Sequence, residues 1–233
     1  MSFEKAEKIV EEYHKLKLDK KAKDNFNFHD KLKDIGYTKK EYFRECLERK
    51  LKNLDLSINY CDVDDILKYI HEGIISKKQS ILFNIPTKVG IYTGSDNFNE
   101  IYCKKNNISI LHLGYQGGTI VFSESDLGIA LFLNDEIDAS ILRDKLSEYI
   151  SKNFKTNNID KTDILINGYK VAGITPMKKG NKFIYLFQIS YSVNLDLIKN
   201  ICTKEMKKTP KGLNNYGVLT RSDLILEVKS WLQ

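Results

Sequence analysis

Apolar positions change their period along this chain, and the changes mark out its elements. Phe3, Ala6, Ile9, Val10, Tyr13 and Leu16 recur at helical spacing, with charged residues between them. A polar stretch at 19–27 interrupts, and then Leu32 and Ile35 lead to Gly36, a residue suited to a helix C-cap. Thr38 and Glu41 have the spacing of a capping box. The helix they open carries Phe43, Cys46, Leu47, Leu51 and Leu54 on one face. Residues 62–77 predict a further helix with the stripe Val63, Ile66, Leu67, Ile70 and Ile74.

Beyond residue 79 the pattern is that of strands. Runs at 80–85, 88–94, 108–114, 119–122 and 128–134 are apolar and β-branched, separated by Pro86 and glycines. A helix over about 138–154 presents Ile141, Leu142, Leu146, Tyr149 and Ile150. Residues 163–174 predict a hairpin with Asn167-Gly168 at its turn. A long strand follows at 182–193, continuous or bent at a bulge, and helices at 195–206 and 221–232 close the chain. Strands interleaved with helices, mostly joined by hairpin-length links, predict an α+β fold with a mixed sheet.

Composition narrows the function classes. With 233 residues, 42% of them hydrophobic, the chain has material for a core and for one large domain with an appendage. Uncharged apolar runs such as 128–133 are far short of the ~18 residues of a membrane span. The charged N-terminus does not read as a secretory signal. Cys46, Cys61, Cys103 and Cys202 lie far apart, and neither they nor the four histidines have metal-ligand spacing. A reducing cytoplasm is therefore expected, with no structural metal and no disulfide framework. Asp62, Asp64 and Asp65 read as acidic residues complementing a helix dipole, with a metal site as the alternative.

The net charge of +6 is unevenly spread. Residues 1–53 carry 15 Lys/Arg against 11 Asp/Glu, residues 54–160 carry 10 against 15, and residues 161–233 carry 12 against 5. An acidic middle between basic ends does not suit one continuous nucleic-acid groove. The basic last third would suit an acidic protein partner or a nucleotide, or would simply be a solvated surface.

Two segments break local rules. Gly114, Gln116, Gly117, Gly118 and Thr119 stand between two apolar strands, where paired glycines permit a close approach and expose N–H groups to an anion. An ordinary Gly-Gly turn is the plain alternative. In the hairpin, strict alternation would put Lys170 and Ala172 on one face and Tyr169 and Val171 on the other. Small Ala172 and Gly173 leave room beside Lys170, whose ammonium could stabilise charge developing on an acyl or phosphoryl oxygen. A lysine on a solvated sheet face is the alternative.

In order and spacing these segments resemble the lipoate–protein ligase, biotin–protein ligase and octanoyl transferase superfamily. The lipoate–protein ligases are the nearest match. Val89 to Gly94, Gly117 to Phe122 and Asp163 to Gly173 resemble that family's first motif segment, glycine loop and hairpin, over roughly residues 57–205. The resemblance implies a mixed, largely antiparallel sheet flanked by helices over 57–233, with 1–56 as a helical extension. It implies activation of lipoate or a related acid by ATP and Mg, and acyl transfer to a lysine of a lipoyl-type carrier domain. It also implies that Lys170 is catalytic and that Asp163 lies with Lys170 near the nucleotide. Gln116, Gly117, Gly118, Thr119, Gly168 and Gly173 would bind substrate.

The sequence departs from the family in the glycine loop. Leu113, Gly114 and Tyr115 stand where the family has arginines, and Gln116 stands for its serine. An ATP-independent octanoyl transferase fed by acyl-carrier protein is therefore a second expectation, with Cys202 as its nucleophile beside Lys170. Against it stands a buried cysteine that merely packs. A ligand-binding homologue without chemistry is a third expectation, in which residues 31–41 could form a DNA-binding helix-turn-helix.

Overall fold

A computed structural model of the chain describes residues 3–15, 27–38, 41–42, 45, 49, 57–94, 97–112, 119–157, 162–217 and 219–230. The chain divides into two compact units, Met1–Asn53 and Leu54–Leu232. In the first, helices α1 (Phe3–Lys15) and α2 (Phe28–Asp34) contribute Phe3, Ala6 and Leu32 to a small core shared with Tyr37 and Tyr42. The end of α2 follows the glycine signal. Gly36 is left-handed (φ 81°), and the N–H groups of Gly36 and Tyr37 return to the carbonyls of Lys33 and Leu32. The capping box also forms, with the Glu41 N–H on Thr38 Oγ1 at 3.1 Å and the Thr38 N–H on the Glu41 carboxylate at 2.7 Å. Leu16, Phe43, Cys46, Leu47, Leu51 and Leu54 lie outside the described residues.

The strands of the second unit are β1 (Ser57–Cys61), β2 (Ser80–Asn84), β3 (Gly90–Thr93), β4 (Ser109–His112), β5 (Ile120–Phe122), β6 (Leu127–Leu133), β7 (Thr156–Asn157), β8 (Asp163–Ile166), β9 (Tyr169–Lys179) and β10 (Lys182–Ile189). Its helices are α3 (Ile66–Ile75), α4 (Glu100–Lys105), α5 (Ala139–Ser151), α6 (Leu195–Ile201) and α7 (Arg221–Ser230). The fold is α+β with a largely antiparallel main sheet flanked by helices. Where the pattern suggests one mixed sheet, the strands form two. The main sheet runs β1-β2-β6-β10-β9-β8-β7, with only β1–β2 parallel among the described pairs, and the smaller runs β4-β3-β5.

Burial explains the arrangement. Every residue of β6 is buried, so this central strand reads as a continuous apolar run rather than an alternating one. The small sheet is apolar on both faces. Tyr92, Leu111 and Phe122 pack with Val63 and Ile66 against Leu82, Ala130 and Phe132 of the main sheet. Ile91 and Val121, on the opposite face, pack with Cys103 of α4 and Ile201 of α6.

Local chemistry sets the helix ends. Asp62 starts a short 3-10 turn (Val63–Asp65) by accepting the Val63 N–H at 2.6 Å, and also accepts the Thr87 N–H at 2.9 Å. Asp64 pairs with Lys88 at 2.6 Å. Thus Asp62 and Asp64 cap and bridge. The helix predicted over 195–206 stops at Ile201, and Cys202 is already extended. The chain then runs as a strap beside Lys170, whose N–H donates to the Thr209 carbonyl (3.0 Å) and whose carbonyl accepts the Lys211 N–H (2.9 Å). Pro210 lacks an N–H and disfavours helix before it, so the strap pairs as an irregular strand.

Candidate active site

The hairpin of β8 and β9 turns through Asn167 (φ 51°) and Gly168 (φ 83°), the left-handed pair of a type I′ turn. Its register shifts once. Ile164 faces Ala172 while Leu165 faces Lys170, leaving Val171 as an extra residue. The bulge breaks the strict alternation expected from the sequence and brings Lys170 against Gly173, while Lys170 and Ala172 line the second cavity together. A Cβ at Gly173 would lie 3.0 Å from Lys170 Cε and Nζ and 3.1 Å from Asp163 Oδ1. The ammonium occupies the space that glycine leaves open.

Lys170 Nζ lies 2.8 Å from Asp163 Oδ1, and Lys208 Nζ lies 2.5 Å from Asp163 Oδ2. The Asp163 carboxylate is buried, so one carboxylate holds two ammoniums at the same spot. A row of residues in register crosses the main sheet here: Asn84, Gly128, Gln188, Gly173 and Asp163, on β2, β6, β10, β9 and β8. Glycines alternate with polar side chains along it, and all five line cavities.

Two cavities adjoin on this row. The first, of about 380 Å³, is walled by apolar side chains such as Ile66, Ile70, Leu82, Phe122 and Leu186. It also holds buried Asn84, whose amide donates to the Tyr92 hydroxyl. The second, of about 410 Å³, has apolar walls as well (Val121, Leu197, Ile198 and Met206) and adds Asp126, Cys202, Lys207 and Lys208. Thr119, Ile120, Asp163, Lys170 and Gln188 line both. Both spaces have apolar walls for an acyl chain and meet at Lys170, and the second alone offers Lys207 and Lys208 to an anion.

No family model and no curated protein matches the sequence. Solved structures do match the fold. A bipartite lipoate protein ligase of Thermoplasma acidophilum, studied with its E2 lipoyl domain, is 12% identical, and the match covers 77% of this chain and 84% of that one, TM-score 0.58. A lipoate-protein ligase A bound with ATP is 13% identical over 76% of this chain and 84% of that one, TM-score 0.58. Plasmodium falciparum LipL1 in complex with lipoate is 16% identical over 81% of this chain and 55% of that one, TM-score 0.57. The chain has the lipoate–protein ligase fold.

Within that fold the residues singled out from the sequence separate clearly. Gln116, Gly117 and Gly118 lie outside the described residues, while Thr119, next in the chain, lines both cavities. Lys170, Asp163 and Gly173 come together. Gly168 serves the exposed turn and is not among the residues lining the two cavities. Cys202 lines the second cavity, but burial pushes its thiol pKa up, away from the thiolate a nucleophile needs.

Sequence reasoning missed Lys208, Gln188 and the Asn84–Tyr92 pair. For Lys208 the available signal was the basic density of residues 204–211. For Asn84 it was an amide ending an otherwise apolar strand. Among the described residues no group of three acidic, histidine or cysteine side chains could hold a metal ion, and no helix is long and apolar enough to cross a membrane.

Asp126 fixes the rim of the second cavity. Its buried carboxylate accepts the N–H groups of Ser123 and Tyr191, both at 2.9 Å, tying the start of β6 to the end of β10. Burial dominates over these hydrogen bonds and pushes the carboxyl pKa up to about 6. The folded chain thus holds a proton at pH values where the unfolded chain has released it. This contribution is fully present below about pH 4 and lost as pH rises through 6, a change on the order of 3 kcal/mol. Asp126→Asn lacks it. Urea midpoints at pH 4 and 7.5 should show the variant gaining on the parent by that amount, and parallel pH profiles would refute it.

Proposed function

We propose that the chain is a lipoate–protein ligase-like acyltransferase. It activates lipoate or a related fatty acid with ATP and transfers the acyl group to a lysine of a lipoyl-type carrier domain. The observation that carries this reading is the junction at Lys170 of two cavities, of which the second adds Lys207 and Lys208 to its lining. The acyl chain lies in the first and the nucleotide phosphates in the second. A carboxylate oxygen attacks the α-phosphorus and pyrophosphate leaves. The carrier lysine's amine then attacks the acyl carbon of the adenylate, and AMP leaves. Lys170 stabilises the charge that gathers on the acyl and phosphoryl oxygens in both steps. The likeness to folds solved with ATP and with lipoate supports the assignment.

Lys170, Lys207 and Lys208 fit a nucleotide's phosphates by charge. Magnesium finds no such fit in the described residues, because both Asp163 oxygens are taken by ammoniums. No step is routed through a protein-bound metal. The catalytic unit is taken as 57–233, with 1–56 as a helical extension. A cytoplasmic site of action fits the free thiols of Cys61, Cys103 and Cys202.

AMP and pyrophosphate formation with lipoate, octanoate and biotin tests the reading. Acid-dependent AMP release, retained in Cys202→Ala, is expected. No AMP, with octanoyl transfer from acyl-carrier protein that is lost in Cys202→Ala, would replace it with the thioester route. Neither activity would leave a binding homologue.

A further inference from the structure

We infer that Lys208 is a second anion-binding residue of this site, the ammonium that receives a phosphoryl oxygen while Lys170 faces the acyl group. This rests on the reading above for its acyl half only. Lys208 reaches the site from the strap rather than from a strand of the sheet. Its Nζ lies 2.5 Å from Asp163 Oδ2, on the oxygen opposite the one held by Lys170. Lys208 is absent from the lining of the first cavity and present in that of the second, whereas Lys170 lines both. The two ammoniums therefore differ in what they can reach. Lys170 can touch both halves of an acyl-phosphate compound, and Lys208 only the phosphate side.

Charge points the same way. Lys170, Lys207 and Lys208 stand against Asp163 and Asp126 in the lining of the second cavity, a net charge of +1 even with both carboxylates ionised. Residues 113–118, immediately before Thr119 in the sequence, contain no lysine or arginine. The strap is also held firmly enough to aim a side chain. Its backbone pairs with both the N–H and the carbonyl of Lys170, and the Lys211 ammonium sits 4.8 Å and 5.0 Å from the ring centres of Tyr169 and Tyr216. Asp163 holds both ammoniums converging on one spot, where a phosphoryl oxygen could share them. The phosphate could belong to a nucleotide or to a free pyrophosphate, and the two are separated by titrating each.

Equilibrium titrations of ATP, inorganic pyrophosphate and octanoate into the parent, Lys208→Ala and Lys208→Arg chains test the inference. Lys208→Ala should weaken ATP about 10-fold or more and leave octanoate within about 2-fold, because only the phosphate loses a charge-assisted hydrogen bond. Lys208→Arg should recover most of the ATP affinity. Pyrophosphate weakened as much as ATP would assign the contact to phosphate alone, and a loss confined to ATP would assign it to the nucleotide's phosphates. ATP bound equally by the parent and Lys208→Ala overturns the inference and leaves the acyltransferase reading standing. Equal loss of ATP and octanoate, with a lowered thermal midpoint, overturns it in favour of a purely structural strap residue. Octanoate failing to bind the parent while ATP binding depends on Lys208 sinks the acyl reading and keeps Lys208.

Discussion

Lys170→Ala should reduce acid-dependent AMP formation by about 10²–10³-fold, the usual cost of removing one preorganised donor from developing negative charge. Stability should barely change. The lysine side chain is 36% exposed and its ion pair contributes little to folding in that setting. Its partner keeps a second ammonium from Lys208, so Asp163 is not left as a lone buried charge. Lys170→Arg should fail to rescue. The planar guanidinium is wider than the ammonium, and the space is bounded by the bare backbone of Gly173. A variant that forms AMP at the parent rate would remove Lys170 from the chemistry and with it the assignment of this hairpin.

The hairpin was legible because its information is local. Asn167-Gly168 can adopt the paired positive φ of a type I′ turn, and that turn sets the register on its own. The bulge at Val171 was not legible, since nothing in the apolar pattern distinguishes an extra residue from a continued strand. Strict alternation consequently fails at Lys170, although the room that Gly173 leaves beside it could be read from the sequence. Strand β1 escaped for a different reason. Ser57–Cys61 is a half-exposed edge whose order comes from parallel pairing with β2, not from its own residues. The helix after Asn194 was overextended because tertiary pairing of the strap with Lys170 outweighs its helical spacing. Lys208 reaches Asp163 across 45 residues, a contact that no spacing rule can anticipate. The order of the elements could be read from periodicity, whereas the site depends on one bulge and one strap.

Two glycines meet a new methyl group at similar distances and should respond in opposite ways. At Gly73 in α3 a Cβ would lie 2.8 Å from the ring of Phe132, which is 1% exposed and packed on all sides. That ring cannot yield, so Gly73→Ala should lose stability. Overpacking of about 1–3 kcal/mol opposes a helix-propensity gain of at most about 1 kcal/mol. At Gly173 the atoms in the way are the end of a lysine and a carboxylate oxygen, which can swing aside. A β-branched residue also suits an extended strand, and Gly173 is not in the left-handed region. Gly173→Val should therefore keep its thermal midpoint within a few degrees yet lose about 10²-fold in AMP formation, because a displacement near 1 Å at the reacting centre is enough. Gly173→Ala should fall between parent and valine. Thermal melts and AMP assays on both sets decide the matter: a Gly173→Val chain that unfolds early would make this a packing position, and one with parent activity would mean that the Lys170 ammonium need not sit where the structure holds it.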